Sequence, residues 1–216
     1  MIKVLGRRNS ANVQKVMWVL GELGLDYERE NIAGSFGFPD DYPNPVNVVP
    51  TIVDGDITVW ESNACVRYFA RQYGVGSLWP EDPKTLAQAD QWMEWQRSGF
   101  SDAFFPLFAN KIRMDADNES LADKIVAIGE QYKILDAHLA DNDYIAGSSL
   151  TMGDIPLGAV TYRYKTLDID RPSTPNVDAW YGRLTERTAY QYHVMIPYGT
   201  NAAEWAEEEQ KNAGIQ

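Results

Sequence analysis

NPVNVVPTIVDGDITVWESNACVRYFA, residues 44–70, decides how the first part of this chain is read. Proline lacks an amide N–H and sits poorly inside a sheet, so Pro50 marks the start of the strand that follows it. Thr51–Val53 and Ile57–Trp60 then flank Asp54-Gly55, a strong signal for a tight hairpin. Ser62 opens a helix whose apolar face is Val66, Phe69, Ala70 and Tyr73. The segment therefore reads ββα. If the Val49-Pro50 bond is cis, Val49 turns its own N–H and C=O outward, where an extended peptide can pair with them as another strand does. In a trans bond the proline only ends a loop. WESNAC, residues 60–65, ends a strand with a projecting acid and two small polar residues at a helix N-terminus. Such a terminus favours a carboxylate by about 0.3–1 kcal/mol, and Glu61 beside it suits an ammonium. Together they fit the zwitterionic end of an amino acid or a γ-glutamyl group. The plainer reading makes Ser62 an N-cap and Glu61 a solvated loop acid.

Upstream, Ile2–Leu5 reads as a short buried strand. Val13, Val16, Met17 and Leu20 fall at i, i+3, i+4 and i+7 of an amphipathic helix ending near Gly24. Tyr27–Ile32 reads as a second strand, followed by the irregular AGSFGFPDDYPNP. The order βαβ, irregular segment, ββα predicts a small α/β domain. Between its first strand and first helix lies RRNSANVQKV, residues 7–16, where Ser10 and Asn12 either cap the helix or carry chemistry. GVGSLWPEDP, residues 74–83, has linker composition. Beyond it only helical patterns run, over Pro83–Asn110, Ser120–Leu139, Thr151–Thr166 and Asn176–Thr188. The expected division is 1–78 and an all-helical 84–216. SLTMGDIPLG is a helix start, with Thr151 as N-cap, Asp154 closing an acidic capping box, and Leu150 and Ile155 supplying a hydrophobic staple. The polar tail from Thr200 reads as a surface element.

Composition excludes several function classes. A formal charge of −12 over 216 residues argues against non-specific binding to nucleic acid or to anionic membrane surfaces. No apolar run reaches the ~18–20 residues of a membrane span, and Met1 leads into IKVL with no signal-peptide pattern. One cysteine allows no internal disulfide, so a cytoplasmic protein is expected. His138 and His193 lack metal-ligand spacing, so no metal site is expected, and no G-x-S-x-G elbow supports a serine hydrolase. Cys65 reads as a buried structural thiol. Among Trp92, Trp95, Phe104, Phe105 and Phe108 most are expected in the core, with one or two lining a pocket. Arg7 and Arg8 read as solvated loop cations.

With these motifs in place, the chain resembles the glutathione S-transferases over nearly its whole length. NPVNVVPTIVDGD resembles that family's loop and hairpin, and WESNACVRYFA its γ-glutamyl box. YIAGSSLTMGDIPLG resembles its helical capping motif, and TPNVDAWYGRLTERTAYQ its late helix. The resemblance implies a thioredoxin-like N-terminal domain with a mixed four-stranded sheet followed by a helical bundle. It also implies a cis Val49-Pro50 bond, glutathione as cosubstrate without a metal, a small apolar electrophile as the other substrate, a detoxification role and a homodimer. Carried over residue by residue, Val48, Val49, Pro50, Glu61, Ser62 and Asn63 bind glutathione. The family places Tyr, Ser or Cys after its first strand to face the sulfur. With no Tyr or Cys between Met1 and Asp26, Ser10 matches the Ser-type position of theta- and delta-like members.

The spacing Ser10, Asn12, Lys15 also resembles bacterial nu-like members, which exchange disulfides between glutathione and its disulfide. A glutathione-dependent disulfide oxidoreductase is therefore the first alternative, and a non-catalytic interaction module with the same fold the second. The family often sets Lys or Arg just before the Val-Pro to hold the glycyl carboxylate. Here Val48 stands there, and residues 31–66 contain neither Lys nor Arg. Backbone N–H groups, Asn44, Asn47, or a cation such as Arg7, Arg8 or Lys15 must serve instead.

Overall fold

The computed structural model describes residues 1–215; Gln216, the end of the expected tail, lies outside the described residues. Buried Ile2, Val4 and Leu5 make β1 (Ile2–Leu5) the inner strand of a sheet ordered β2-β1-β3-β4. It pairs in parallel with β2 (Tyr27–Glu30) and antiparallel with β3 (Thr51–Asp54), which pairs antiparallel with β4 (Ile57–Trp60). This is the mixed four-stranded sheet of a thioredoxin-like domain. Asp54 pairs with Ile57, so Gly55 and Asp56 are the two loop residues. Gly55 carries φ +62°, as a tight hairpin turn requires at its first loop position. β2 stops at Glu30, two residues short of the expected end, because its partner β1 ends at Leu5.

Helix α1 (Ala11–Glu22) and helix α2 (Ser62–Tyr73) cover the sheet. The outer side of α1 is apolar as well, since the helical half packs on it: Trp18 is fully buried, edge-on to Tyr190 at 4.8 Å. Gly158 makes this approach possible, for a Cβ there would lie 2.7 Å from two atoms of the Trp18 ring.

Residues 74–82 are irregular, with Pro83 already in a helix, and the stretch is anchored: Leu78 is buried and its carbonyl accepts from the Met152 N–H at 2.8 Å. The continuous helix expected over Pro83–Asn110 is broken into α3 (Pro83–Trp95), a π turn (Gln96–Phe100) with Ser98 at φ −92°, ψ −112°, α4 (Ser101–Phe108) and a second π turn (Ala109–Arg113). Then follow α5 (Ala122–Leu139), α6 (Asp154–Thr166), α7 (Pro175–Thr185) and α8 (Thr188–His193), so the late pattern is also two helices rather than one. Asp154 behaves as its motif predicts. Its buried carboxylate accepts from the N–H groups of Thr151 and Ile145, both at 2.8 Å, and from Trp180 Nε1 at 2.9 Å. Burial nevertheless pushes its carboxyl up to about 6, against the pull of those donors.

The polar tail is a surface element, and it is ordered. It forms α9 (Ala202–Ala213), which packs by Trp205, Glu209 and Asn212. The same contacts overturn the reading of Arg7 and Arg8 as solvated cations. Arg7 Nε pairs with Glu209 at 2.8 Å, and Arg8 donates to Asn212 Oδ1 at 2.7 Å and to the Tyr192 carbonyl at 2.6 Å. No helix among the described residues is long and apolar enough to cross a membrane.

Candidate active site

The end of β1 brings the chain against the Val49-Pro50 loop so closely that only glycine fits at residue 6. A Cβ there would meet Val13 at 2.4 Å and Val49 at 3.2 Å. The next residues deliver Ser10 to the start of α1, where it occupies the N-cap position at φ −79°, ψ 123°. Its hydroxyl makes no capping bond, and Asn12 Oδ1 instead accepts from the Ser62 hydroxyl at 3.3 Å. Of the two alternatives for these side chains, capping α1 is met by neither. Both line a cavity.

That cavity, about 440 Å³, is lined by Ser10, Asn12, Asn47, Val48 and Val49 on the sheet side and by Phe105, Phe108, Arg113 and Arg163 from the helices. A second cavity, about 450 Å³, shares Asn12, Val48, Val49 and Phe105 with the first and runs to Lys15, Glu61, Ser62 and Arg97. The two meet at Asn12 and Val49. The Val49-Pro50 bond is cis. Val48 is anchored through its carbonyl, which accepts from Tyr42 Oη at 2.8 Å and Asn44 Nδ2 at 3.0 Å. Among the described residues the Val49 N–H and C=O have no hydrogen-bond partner, so an extended peptide can pair there. Asn44 is committed to this loop, also donating to Thr51 Oγ1 at 3.1 Å. Asn47, at φ +48°, remains on the cavity wall.

At the far end of the second cavity Glu61 precedes α2 with φ +68°, ψ 114°, a left-handed conformation that costs a non-glycine residue about 1–2 kcal/mol. It leaves the carboxylate half-exposed at the mouth, with Arg97 Nε 4.0 Å away. Beneath it lies Lys15, only 2% exposed. Its ammonium donates to Ser62 Oγ at 3.3 Å, Asn63 Oδ1 at 3.2 Å and Gln96 Oε1 at 3.1 Å, all uncharged oxygens. Burial, reinforced by Arg97 and opposed by Glu61, lowers its pKa from 10.5 to about 7. A buried cation with three neutral neighbours is poised to take an anion.

Of the residues expected at the site, Ser10, Asn12, Val48, Val49, Glu61 and Ser62 line the cavities. Pro50 and Asn63 do not. Pro50 is buried behind the loop, and Asn63 is turned inward, donating to the Met93 carbonyl at 2.9 Å. Of the helical aromatics, Phe105 and Phe108 reach the first cavity, while Phe104 belongs to the core and Trp92 and Trp95 are half-buried against it. Cys65 is buried with its thiol pushed up to about 12 by desolvation, so it is inert. Gln96, Arg97, Arg113 and Arg163 are additions that the sequence reading missed. Arg97 owes its position to the π turn, which periodicity does not reveal. Arg163 had a visible signal, a lone arginine inside the apolar run of α6.

The sequence matches the family described as Glutathione S-transferase, N-terminal domain, over residues 9–72, and that described as Glutathione S-transferase, C-terminal domain, over residues 97–188. It is 35% identical over 206 residues to the glutathione S-transferase GstB of Escherichia coli K12, covering 91% of this chain and 99% of that one. It is 30% identical to glutathione S-transferase 3 of Zea mays, covering 89% and 93%. Among solved structures it superposes, with a TM-score of 0.87 and 40% identity, on the theta class glutathione S-transferase of Xanthomonas axonopodis pv. citri with glutathione bound, covering 92% of this chain and 99% of that one. Sheet, helical half and matched sequence agree, and the chain belongs to the glutathione S-transferase family of enzymes.

Proposed function

We propose that the protein binds glutathione across the two cavities and conjugates it, through its sulfur, to a small electrophile with an apolar body. Residues 1–78 act as the glutathione-binding unit and residues 84–216 supply the electrophile pocket. The observation that carries this is the meeting of the cavities at Asn12 and Val49, with Glu61, Ser62 and Lys15 at one end and Ser10 beside the junction. Glutathione's γ-glutamyl ammonium pairs with Glu61. Its carboxylate takes the α2 N-terminus and Lys15, and its backbone pairs with Val49. The thiol then reaches Ser10 and Asn12.

A free thiol titrates near ~8.5. One hydrogen bond donated to the anion is worth about 1.5–3 kcal/mol, which lowers the pKa by about 1–2 and makes thiolate abundant at pH 7. In the transfer the sulfur lone pair forms a C–S bond, the halide departs with the pair that bound it, and the thiol proton goes to water. Isothermal titration with glutathione and turnover of 1-chloro-2,4-dinitrobenzene test the reading. No binding at millimolar glutathione refutes it, and this outcome alone leaves the non-catalytic module.

A second reading, disulfide exchange, is favoured by Asn12, which lines both cavities and can donate its amide N–H to a sulfur from either side. Turnover only of disulfides, with greater dependence on Asn12 than on Ser10, selects it. The cytoplasmic location and detoxification role expected from the sequence go with the transferase reading. A homodimer is supported by exposed Ile57, Trp60 and Tyr73 on β4 and α2, and sedimentation velocity tests it.

A further inference from the structure

The first cavity is more cationic than a pocket for a purely apolar electrophile needs to be. Arg163 is 2% exposed in the last turn of α6. Its guanidinium lies 4.8 Å from the Phe108 ring and 5.7 Å from those of Tyr198 and Trp205. Its Nη2 donates to the Asn9 carbonyl at 2.6 Å and to Gln14 Oε1 at 3.1 Å, both uncharged. Arg113, exposed at the end of the second π turn, lies 4.6 Å over Trp205. Neither arginine has an ion-pair partner among the described residues. Arg7, the third guanidinium on this wall, is matched by Glu209. Three cations thus stand against one carboxylate, in a chain whose net charge is −12. Burial, with the charges of Arg113 and Arg7 adding to it, lowers the Arg163 guanidinium to about 9. A desolvated charge of this kind is costly unless an opposite charge answers it.

Resting on the transferase reading, we infer that the acceptor carries a carboxylate on a planar apolar body: Phe105 and Phe108 hold the body, and Arg113, in the field of Arg163, binds the carboxylate. Guanidinium groups match carboxylates in a two-pronged geometry and stack on flat rings, so one wall serves both halves of such a molecule. The bonds made and broken are those of the substitution already described. The competing occupant is the glycyl carboxylate of glutathione, which shares this cavity with Asn47 and Val48.

Matched electrophiles separate the two. With glutathione saturating at pH 7, kcat/KM is measured for 4-chloro-3,5-dinitrobenzoate and 1-chloro-2,4-dinitrobenzene, each divided by its uncatalysed rate. The expected ratio favours the carboxylate by about tenfold or more at low salt and falls toward one by about 0.5 M salt. Arg113→Gln lowers the ratio about tenfold. A wild-type ratio near one overturns the inference. So does an Arg113→Gln protein that raises the KM for glutathione and keeps the ratio, since the arginines then read the glycyl end.

Binding without glutathione gives a second readout. Quenching of tryptophan fluorescence by unreactive 3,5-dinitrobenzoate should show about fivefold tighter binding than by 1,3-dinitrobenzene, and equal affinities overturn the inference. Selective binding of the benzoate with no conjugation of either electrophile keeps the anion pocket and refutes the transferase reading instead.

Discussion

Replacing Lys15 with methionine removes a buried amine and keeps most of its volume. In the fold the amine contacts only neutral oxygens of Ser62, Asn63 and Gln96, and its pKa drops from 10.5 to about 7. In the unfolded chain it holds its proton to about 10.4. Between these values the unfolded state binds more protons than the native state, so the lysine's contribution to stability rises with pH across that window. Below pH 7 both states are protonated and the cost of charging a buried amine is fully present. Combining the two titrations, the side chain destabilises the fold by about 4 kcal/mol at pH 7 and by about 2 kcal/mol at pH 9. The methionine protein lacks this dependence. Urea unfolding of both proteins, without ligand and at one fixed protein concentration, should therefore show wild-type stability minus variant stability rising by about 2 kcal/mol from pH 7 to pH 9. Profiles parallel within about 0.5 kcal/mol would mean that Lys15 stays charged throughout, and the reasoning from its burial would fail.

Three further substitutions have expected outcomes. Ser10→Ala should lower kcat/KM for conjugation by about 10–100-fold, the loss of one hydrogen bond to a thiolate. Its urea midpoint should not move, because the hydroxyl caps nothing; an ordinary N-cap loss of about 1 kcal/mol would contradict this. Asp154→Ala strands the donors of Ile145, Thr151 and Trp180 and should cost about 3–5 kcal/mol by urea unfolding. Glu209→Gln leaves the Arg7 guanidinium, whose side chain is 13% exposed, without its charge partner; a loss of about 2 kcal/mol by the same assay is expected.

What could be read ahead of the structure was local. Pro50 before a strand, a Gly at the hairpin, Thr151 and Asp154 three residues apart, and the apolar face of α1 each state a conformational preference within a few neighbours. What could not be read depends on partners far away in the chain. The periodic pattern from Pro83 to Asn110 is helical on both sides of Ser98, so nothing local announces the π turn that aims Gln96 at Lys15 and Arg97 at Glu61. The tail offers one apolar anchor, Trp205, and otherwise buries polar groups, Glu209 and Asn212, whose counterparts are Arg7 and Arg8 at the other end of the sequence. Burial of an arginine against an acid or an amide some 200 residues distant leaves no periodic trace, which is why both arginines read as solvated. The site was legible in the same proportion. Ser10, Glu61 and Ser62 stand at element starts, where composition speaks, whereas Arg113 and Arg163 matter only through what packs around them.

The clasp between α9 and the first loop also has a consequence for how the chain is made. Arg8 leaves the ribosome 204 residues before Asn212, a delay of about 10–40 s at ordinary rates of synthesis of about 5–20 residues per second. Throughout that interval Arg7 and Arg8 must stay hydrated while β1, α1 and β2 assemble, and Trp205, the platform beneath Arg113 and Arg163, does not yet exist. Two arginines of the cavity wall therefore gain their aromatic platform only when α9 emerges, and a nascent chain arrested before residue 202 lacks the ring over which Arg113 and Arg163 lie.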